Sequence, residues 1–108
     1  MRRFRLEVSF DAQQDLRQIV QRLADEGGLA LARRWSKKLR EKSLTLRALP
    51  YQGACITGSL ARRRLVVSPY LIVYTVADLE DLVVVLRILD GRRDLPPILG
   101  LDVGEFGS

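Results

Sequence analysis

The sequence predicts a single α+β domain of order β-α-α-β-β-β, with an N-terminal helical hairpin packed on one face of a small, mainly antiparallel four-stranded sheet. Apolar residues in the first half recur with a helical period, and those in the second half form short runs rich in β-branched residues. Short polar turns separate these later runs, as expected between antiparallel strands. The length of 108 residues is enough for one domain with one modest core.

The N-terminal segment predicts a strand followed by a helix. Phe4, Leu6 and Val8 alternate with polar residues, which is the period of a strand with one buried face. Asp11 is predicted as the N-cap of the helix, with Gln14 capping it in return. The apolar stripe of this helix has the spacing i, i+3, i+4, i+7 and consists of Leu16, Ile19, Val20 and Leu23.

A second helix is predicted over about residues 29–48. Gly27 and Gly28 end the first helix, because glycine accepts the left-handed conformation needed there, and Pro50 stops the second. The apolar stripe of the second helix is formed by Leu31, Trp35, Leu39, Leu46 and Leu49.

The second half of the chain predicts strands. The stretch around Ile56 is weak and is predicted as a loop or a bulged edge. We expect one domain over residues 1–99 and a flexible, glycine-containing C-terminal tail over residues 100–108. The three strands that follow Ile56 are predicted at 65–68, 71–76 and 82–89.

Composition limits the chemistry that the chain can perform. It has 18 Lys or Arg residues against 13 Asp or Glu residues, and this net charge of +5 indicates an acidic partner. There is no histidine and one cysteine, Cys55, so Cys/His zinc sites, Ser-His-Asp triads, Cys-His dyads and intramolecular disulfides are excluded. No apolar run is long enough to cross a membrane. We therefore expect a cytoplasmic protein without a metal or a cofactor.

The predicted second helix is strongly basic. It has a single acid, Glu41, against seven cations, which are Arg33, Arg34, Lys37, Lys38, Arg40, Lys42 and Arg47. A solvated helix face and a polyanion-binding surface explain such a run equally well.

Arg87 is the most informative single residue, because it interrupts an apolar strand. Alternation places it on the same side as Val83, Val85 and Leu89. A buried guanidinium without a partner would cost several kcal/mol, so we expect Arg87 on an open sheet face or paired with a carboxylate such as Asp94 or Glu7.

Other polar residues of the second half are candidates for binding a target or a partner. Arg62 and Arg64 are predicted to share a strand face with Val66. Tyr70, beside a turn, is expected to be partly exposed. The full set of candidate binding residues is Arg62, Arg64, Tyr70, Arg87, Arg92 and Arg93.

Three segments resemble the RelE/ParE superfamily, the toxin components of type II toxin–antitoxin modules. With the first strand they span about residues 3–99, and the strand–turn–strand followed by Gly-Arg-Arg-Asp is fairly specific in combination. The segments are 11–19 (DAQQDLRQI), 63–74 (RRLVVSPYLIVY) and 86–96 (LRILDGRRDLP).

Within this superfamily the chain is more similar to the ParE-like branch, known for inhibiting DNA gyrase, than to the RelE-like branch, which cuts mRNA on the ribosome. Leu71 stands where the ribonuclease branch commonly has an arginine, and Leu99 stands where its late tyrosine would fall. The stretch from Asp90 to Arg93 resembles ParE sequences. The resemblance thus implies a gyrase-inhibiting toxin of the plasmid-stabilisation type, and it assigns no catalytic residue.

The resemblance also implies a cognate acidic, ParD-like antitoxin, in a heterodimer or heterotetramer that contacts DNA through the antitoxin. An open sheet face rimmed by arginines would suit an acidic segment of that partner. Two alternatives remain open. One is a ribosome-dependent mRNA endoribonuclease in which Arg87 and Arg93 stabilise phosphate. The other is a basic module that binds nucleic acid through its second helix.

Overall fold

The computed structural model describes residues 2–56, 58 and 61–93, and the predicted tail at 100–108 lies outside them. Short 3₁₀ turns lie at Thr45–Arg47 and Asp78–Glu80. No helix in the described part of the chain is long and apolar enough to cross a membrane. The elements are β1 (Arg5–Val8), α1 (Phe10–Gly27), α2 (Leu29–Leu44), β2 (Ala54–Cys55), β3 (Arg63–Val67), β4 (Tyr70–Ala77) and β5 (Leu82–Asp90).

The strands form one sheet of five, in the order β1-β5-β4-β3-β2. β1 runs parallel to β5 and the other pairs are antiparallel, so the predicted α+β class with a helical hairpin is confirmed. The sheet has one strand more than predicted, because Ala54 and Cys55 pair with Arg64 and Arg63. Both residues of β2 are exposed, so this strand has no apolar alternation that the sequence could reveal.

The helix α1 begins at Phe10, two residues earlier than an N-cap at Asp11 would place its start. Its N-cap is Ser9, whose hydroxyl accepts a hydrogen bond from the backbone N–H of Ala12 at 3.1 Å. The same hydroxyl donates to the backbone oxygen of Leu86 at 2.8 Å. The prediction of Asp11 as the cap is therefore wrong: Ser9 holds the helix start and β5 at once, which an Asp11 cap would not do.

The turn between the helices uses Gly28, with a φ of +90° that favours glycine. Its backbone N–H donates to the oxygen of Ala24 at 3.0 Å. The second helix then ends at Leu44 rather than near Ala48, because the chain tightens into the 3₁₀ turn first.

The main core lies between the two helices and one face of the sheet. Tyr74 is buried in it, and its hydroxyl accepts a hydrogen bond from the backbone N–H of Gly53 at 3.0 Å. The ring of Tyr70 is only 2% exposed and meets Trp35 edge-to-face at 5.2 Å. The expected exposure of Tyr70 is therefore wrong, because the side chain faces the helices.

A bulge in β5 changes which residues face the helices. Val85 is opposite Tyr74 and Arg87 is opposite Val73, so Leu86 is an extra residue on β5. One extra residue reverses the alternation of a strand. Arg87 therefore shares a face with Leu89 but not with Val85, contrary to the prediction.

The sheet face opposite the helices is closed rather than open over its centre. Four apolar residues on this side form a second buried cluster. The expected bare sheet face is thus not present at these positions. The cluster consists of Ile56, Leu71, Val73 and Leu89.

Candidate functional site

The C-terminal half of β5 lies at an edge of the sheet, where the start of α1 takes the place of a neighbouring strand. β1 pairs with β5 over Leu82–Val85 only. Beyond that point the backbone N–H of Ser9 donates to Val85, and the N–H of Ile88 donates to the carboxylate of Asp15 at 2.9 Å. The first turns of α1 thus satisfy backbone groups that a neighbouring strand would otherwise satisfy.

Arg87 is paired at this edge with Asp15. Its Nε and Nη2 donate to the two carboxylate oxygens at 2.7 and 2.9 Å. The side chains are 31% and 11% exposed, so the pair is largely shielded from water. Glu7 is exposed and Asp94 lies outside the described residues, so neither expected partner is seen in this role. Arg87 joins β5 to α1, which is a structural task.

Asp90 is the centre of a second arginine cluster at the end of β5. Its side chain is 1% exposed and accepts bonds from Arg92 Nε and Nη2 at 3.0 and 2.9 Å, and from the Arg92 backbone at 2.9 Å. Arg22 of α1 lies 3.8 Å from the same carboxylate. Bonding to Arg92 lowers the pKa of Asp90 and, in return, raises the pKa of Arg92.

Arg93 is the predicted site arginine most available to a partner. It is exposed, and its guanidinium makes no ion pair or hydrogen bond with any of the described residues. Its backbone N–H donates to the oxygen of Asp90 at 3.0 Å, which fixes where the side chain leaves the surface. Asp90 therefore anchors the Arg92–Arg93 turn while the Arg93 side chain stays exposed.

The structure places the other predicted site residues at different points along the sheet. Arg64, Val73 and Arg87 share one register row across three strands, so Arg64 and Arg87 lie about 10 Å apart. Arg62 is exposed at the opposite end of the sheet from Arg93. These ends are at least four residues, about 13 Å, apart along the strands, because Arg63 is opposite Tyr74 and Asp90 is opposite Tyr70.

Sequence reasoning missed an apolar groove between β1 and the two helices. It has a volume of about 240 Å³ and a nearly apolar lining. An adjoining pocket continues it past Leu44 towards Arg5 and Arg47. Its lining residues come from several elements, so no single stretch of the sequence predicts the groove. The only signal in the sequence is the short apolar stretches of β1 and α2. The lining residues are Leu6, Val8, Leu16, Leu39, Arg40, Ser43, Leu44, Val85 and Ile88.

A polar cluster that the sequence did not reveal joins the N-terminus to the β4–β5 turn. The Tyr51 hydroxyl donates to Asp78 at 2.6 Å, and Arg2 bridges Asp78 and Asp81. The Arg63 guanidinium stacks on the Tyr51 ring at 4.9 Å. The bond to Asp78 raises the pKa of Tyr51 and lowers that of Asp78, so the phenol stays protonated and is a poor general base.

The described residues contain no group of three metal-ligating side chains.

A family model, described as the ParE toxin of the type II toxin–antitoxin system parDE, matches residues 6–95. The chain belongs to the ParE toxin family. This membership confirms the resemblance stated from the sequence.

Two solved structures resemble this ParE-type toxin. One is the chromosomal ParDE toxin–antitoxin system from P. aeruginosa, with a TM-score of 0.69 and 22% identity over 79% of this chain and 92% of that chain. The other is the RelBE2 toxin–antitoxin complex from Mycobacterium tuberculosis, with a TM-score of 0.65 and 17% identity over 83% of this chain and 93% of that one. No curated protein matches the chain. At these identities the two structures confirm the fold.

Proposed function

We propose that this ParE-type toxin acts in the cytoplasm by inhibiting DNA gyrase, and that a cognate acidic antitoxin neutralises it. The observation that carries the proposal is the match of the ParE family model to residues 6–95. The structure adds a chemical argument. Arg87, a candidate for stabilising phosphate in a ribonuclease, already has the Nε–Nη2 edge of its guanidinium bonded to Asp15.

For the target we propose the turn after β5. Arg93 offers there an exposed cation that makes no ion pair with the residues the structure describes, and the Asp90–Arg92 pair holds the turn in place. A positioned, exposed arginine suits a surface whose task is to bind rather than to turn over substrate. Arg62 and Arg64 lie further along the sheet and are not part of this turn.

For the antitoxin we propose the apolar groove, in place of the sheet face expected from the sequence. Leu71, Val73 and Leu89 are buried on that face, whereas the groove exposes Val8 and Leu44. Arg5, Arg40 and Arg47 lie around the groove, so its chemistry suits an amphipathic acidic segment. Both similar structures belong to toxin–antitoxin systems, which supports an antitoxin partner here too, in a heterodimer or heterotetramer as the resemblance implies.

The second candidate function is ribosome-dependent mRNA cleavage, which the similarity to the RelBE2 complex favours. The purified toxin is added in parallel to a gyrase supercoiling reaction and to a translation reaction. We expect loss of supercoiling with intact mRNA. Cleaved mRNA with normal supercoiling would replace the gyrase proposal by the ribonuclease one.

Variants of the toxin test the two proposed surfaces separately. Arg93→Ala should weaken gyrase inhibition, while Arg17→Ala, an exposed arginine on α1, should not. Leu44→Glu should weaken antitoxin binding at least tenfold, because it places a charge in the apolar groove. Leu79→Glu is the matched control, since Leu79 is 99% exposed and lies outside the groove.

A further inference from the structure

The net charge of the chain comes from one helix. α2 holds six Lys or Arg residues and one acid, a surplus of five that equals the net charge of +5 of all 108 residues. The rest of the chain is therefore balanced, with 12 basic and 12 acidic residues. A surplus that served solubility alone could be spread over the whole surface, whereas this one is concentrated on 16 residues.

All the cations of α2 lie on its outer face, because Ala32, Leu39 and Ser43 form the buried face. From Arg33 to Lys42 the helix rises about 14 Å, the axial length of about four phosphates on one DNA strand. Every exposed residue within this stretch is charged. We call the six exposed cations the basic face; they are Arg33, Arg34, Lys37, Lys38, Arg40 and Lys42.

The basic face destabilises the helix that carries it. Arg33 and Lys37, like Arg34 and Lys38, are like charges at the spacing i, i+4, where they repel each other. The ion pair that opposes this repulsion, Lys37–Glu41, is long at 3.9 Å and exposed. The first turn also has no acid to offset the helix dipole. A bound polyanion would relieve this repulsion.

We propose that the basic face of α2 binds the phosphate backbone of duplex DNA, independently of base sequence. A protein partner would find no exposed apolar side chain to bury between residues 33 and 42, whereas phosphates require only cations. The two serines of α2 are engaged within the helix, Ser36 with Arg40 and Ser43 with Leu39. Contact with DNA is then direct, and not only through an antitoxin as the family resemblance implies.

The test measures binding of the purified chain to a short labelled duplex of arbitrary sequence, by fluorescence anisotropy at several salt concentrations. With four or five phosphates neutralised, the slope of log affinity against log salt is about −4, and affinity falls about 250-fold between 50 and 200 mM salt. The variant Arg33→Gln/Arg34→Gln/Lys37→Gln should flatten the slope by about 2.7. It leaves Arg40, which also lines the apolar groove, in place.

The matched control is Arg3→Gln/Arg17→Gln/Arg62→Gln, which removes the same charge from exposed positions outside α2. It should change the slope by less than about 1. Circular dichroism melts check that both variants are folded, which is expected because glutamine is a good helix former and all positions are exposed.

Three results would overturn the proposal. The first is an equal loss of DNA affinity in the two variants, which would mean diffuse attraction. The second is wild-type binding that does not depend on salt. The third is binding of a single-stranded RNA of equal length tenfold tighter than binding of the duplex. The assay contains no gyrase, so its failure leaves the proposed gyrase inhibition standing. Conversely, if the toxin binds DNA but does not inhibit supercoiling, DNA binding by the basic face is supported and gyrase inhibition is contradicted.

Discussion

Replacing Arg87 by alanine tests whether this arginine is structural or chemical. The change leaves the Asp15 carboxylate, 11% exposed, without its two guanidinium bonds, although the N–H of Ile88 still donates to it. Breaking a fully buried pair costs about 3–5 kcal/mol. Because Arg87 is 31% exposed, we expect a smaller loss of about 2–3 kcal/mol in the free energy of unfolding. For a domain of this size that lowers Tm by about 10 °C.

The assay is urea unfolding of four proteins: wild type, Arg87→Ala, Asp15→Asn and the double variant. A coupling energy of about 1–2 kcal/mol between the two positions is expected for a direct pair. Arg93→Ala is the control and should change stability by less than about 0.5 kcal/mol. If Arg87→Ala keeps the stability of the wild type but abolishes toxicity, the structural reasoning is refuted and Arg87 acts on the target.

Three further changes probe the fold. Ser9→Ala removes the cap of α1 and the bond to Leu86, and should cost about 1–2 kcal/mol by urea unfolding; Asp11→Ala should cost less than about 0.5 kcal/mol, and the reverse order would contradict the assigned cap. Gly53→Ala would push a methyl group against the Arg64 backbone and the Tyr74 hydroxyl; we expect a loss of about 2–3 kcal/mol, and an unchanged Tm would show that the contact relaxes. The folded pKa of Asp90 is lowered, so the stability that its ionised carboxylate contributes is complete above about pH 4 and is lost as the pH falls through the folded pKa. Asp90→Asn should therefore reduce the dependence of the free energy of unfolding on pH across that acidic range, and an unchanged dependence would contradict the pairing.

Helical periodicity predicted the two helices, and apolar runs rich in β-branched residues predicted the three long strands. These patterns could not predict β2, since Ala54 and Cys55 are both exposed. They also missed the bulge at Leu86, because a continuous apolar run hides a change of face. That one residue accounts for the wrong side predicted for Arg87.

The partners of the site residues depend on contacts between distant parts of the chain. Asp15 lies 72 residues from Arg87, and no local spacing joins them. The hydroxyl of Ser9 and the carboxylate of Asp11 are both good caps, so only the position of β5 decides between them. Tyr70 follows a turn, yet its register opposite Val67 turns it towards Trp35. The basic residues of α2, in contrast, were visible in the sequence, because charge on an exposed helix face needs no tertiary information.

The most direct test of toxin activity is made in cells that express the chain alone or together with the product of the neighbouring gene. Growth, plasmid topology and mRNA integrity are followed in the same cultures. We expect growth arrest with relaxed or broken plasmid and intact mRNA, and normal growth and supercoiling when the antitoxin is present. Arrest with cleaved mRNA and normal plasmid supercoiling, or no arrest by the chain alone, would contradict gyrase inhibition.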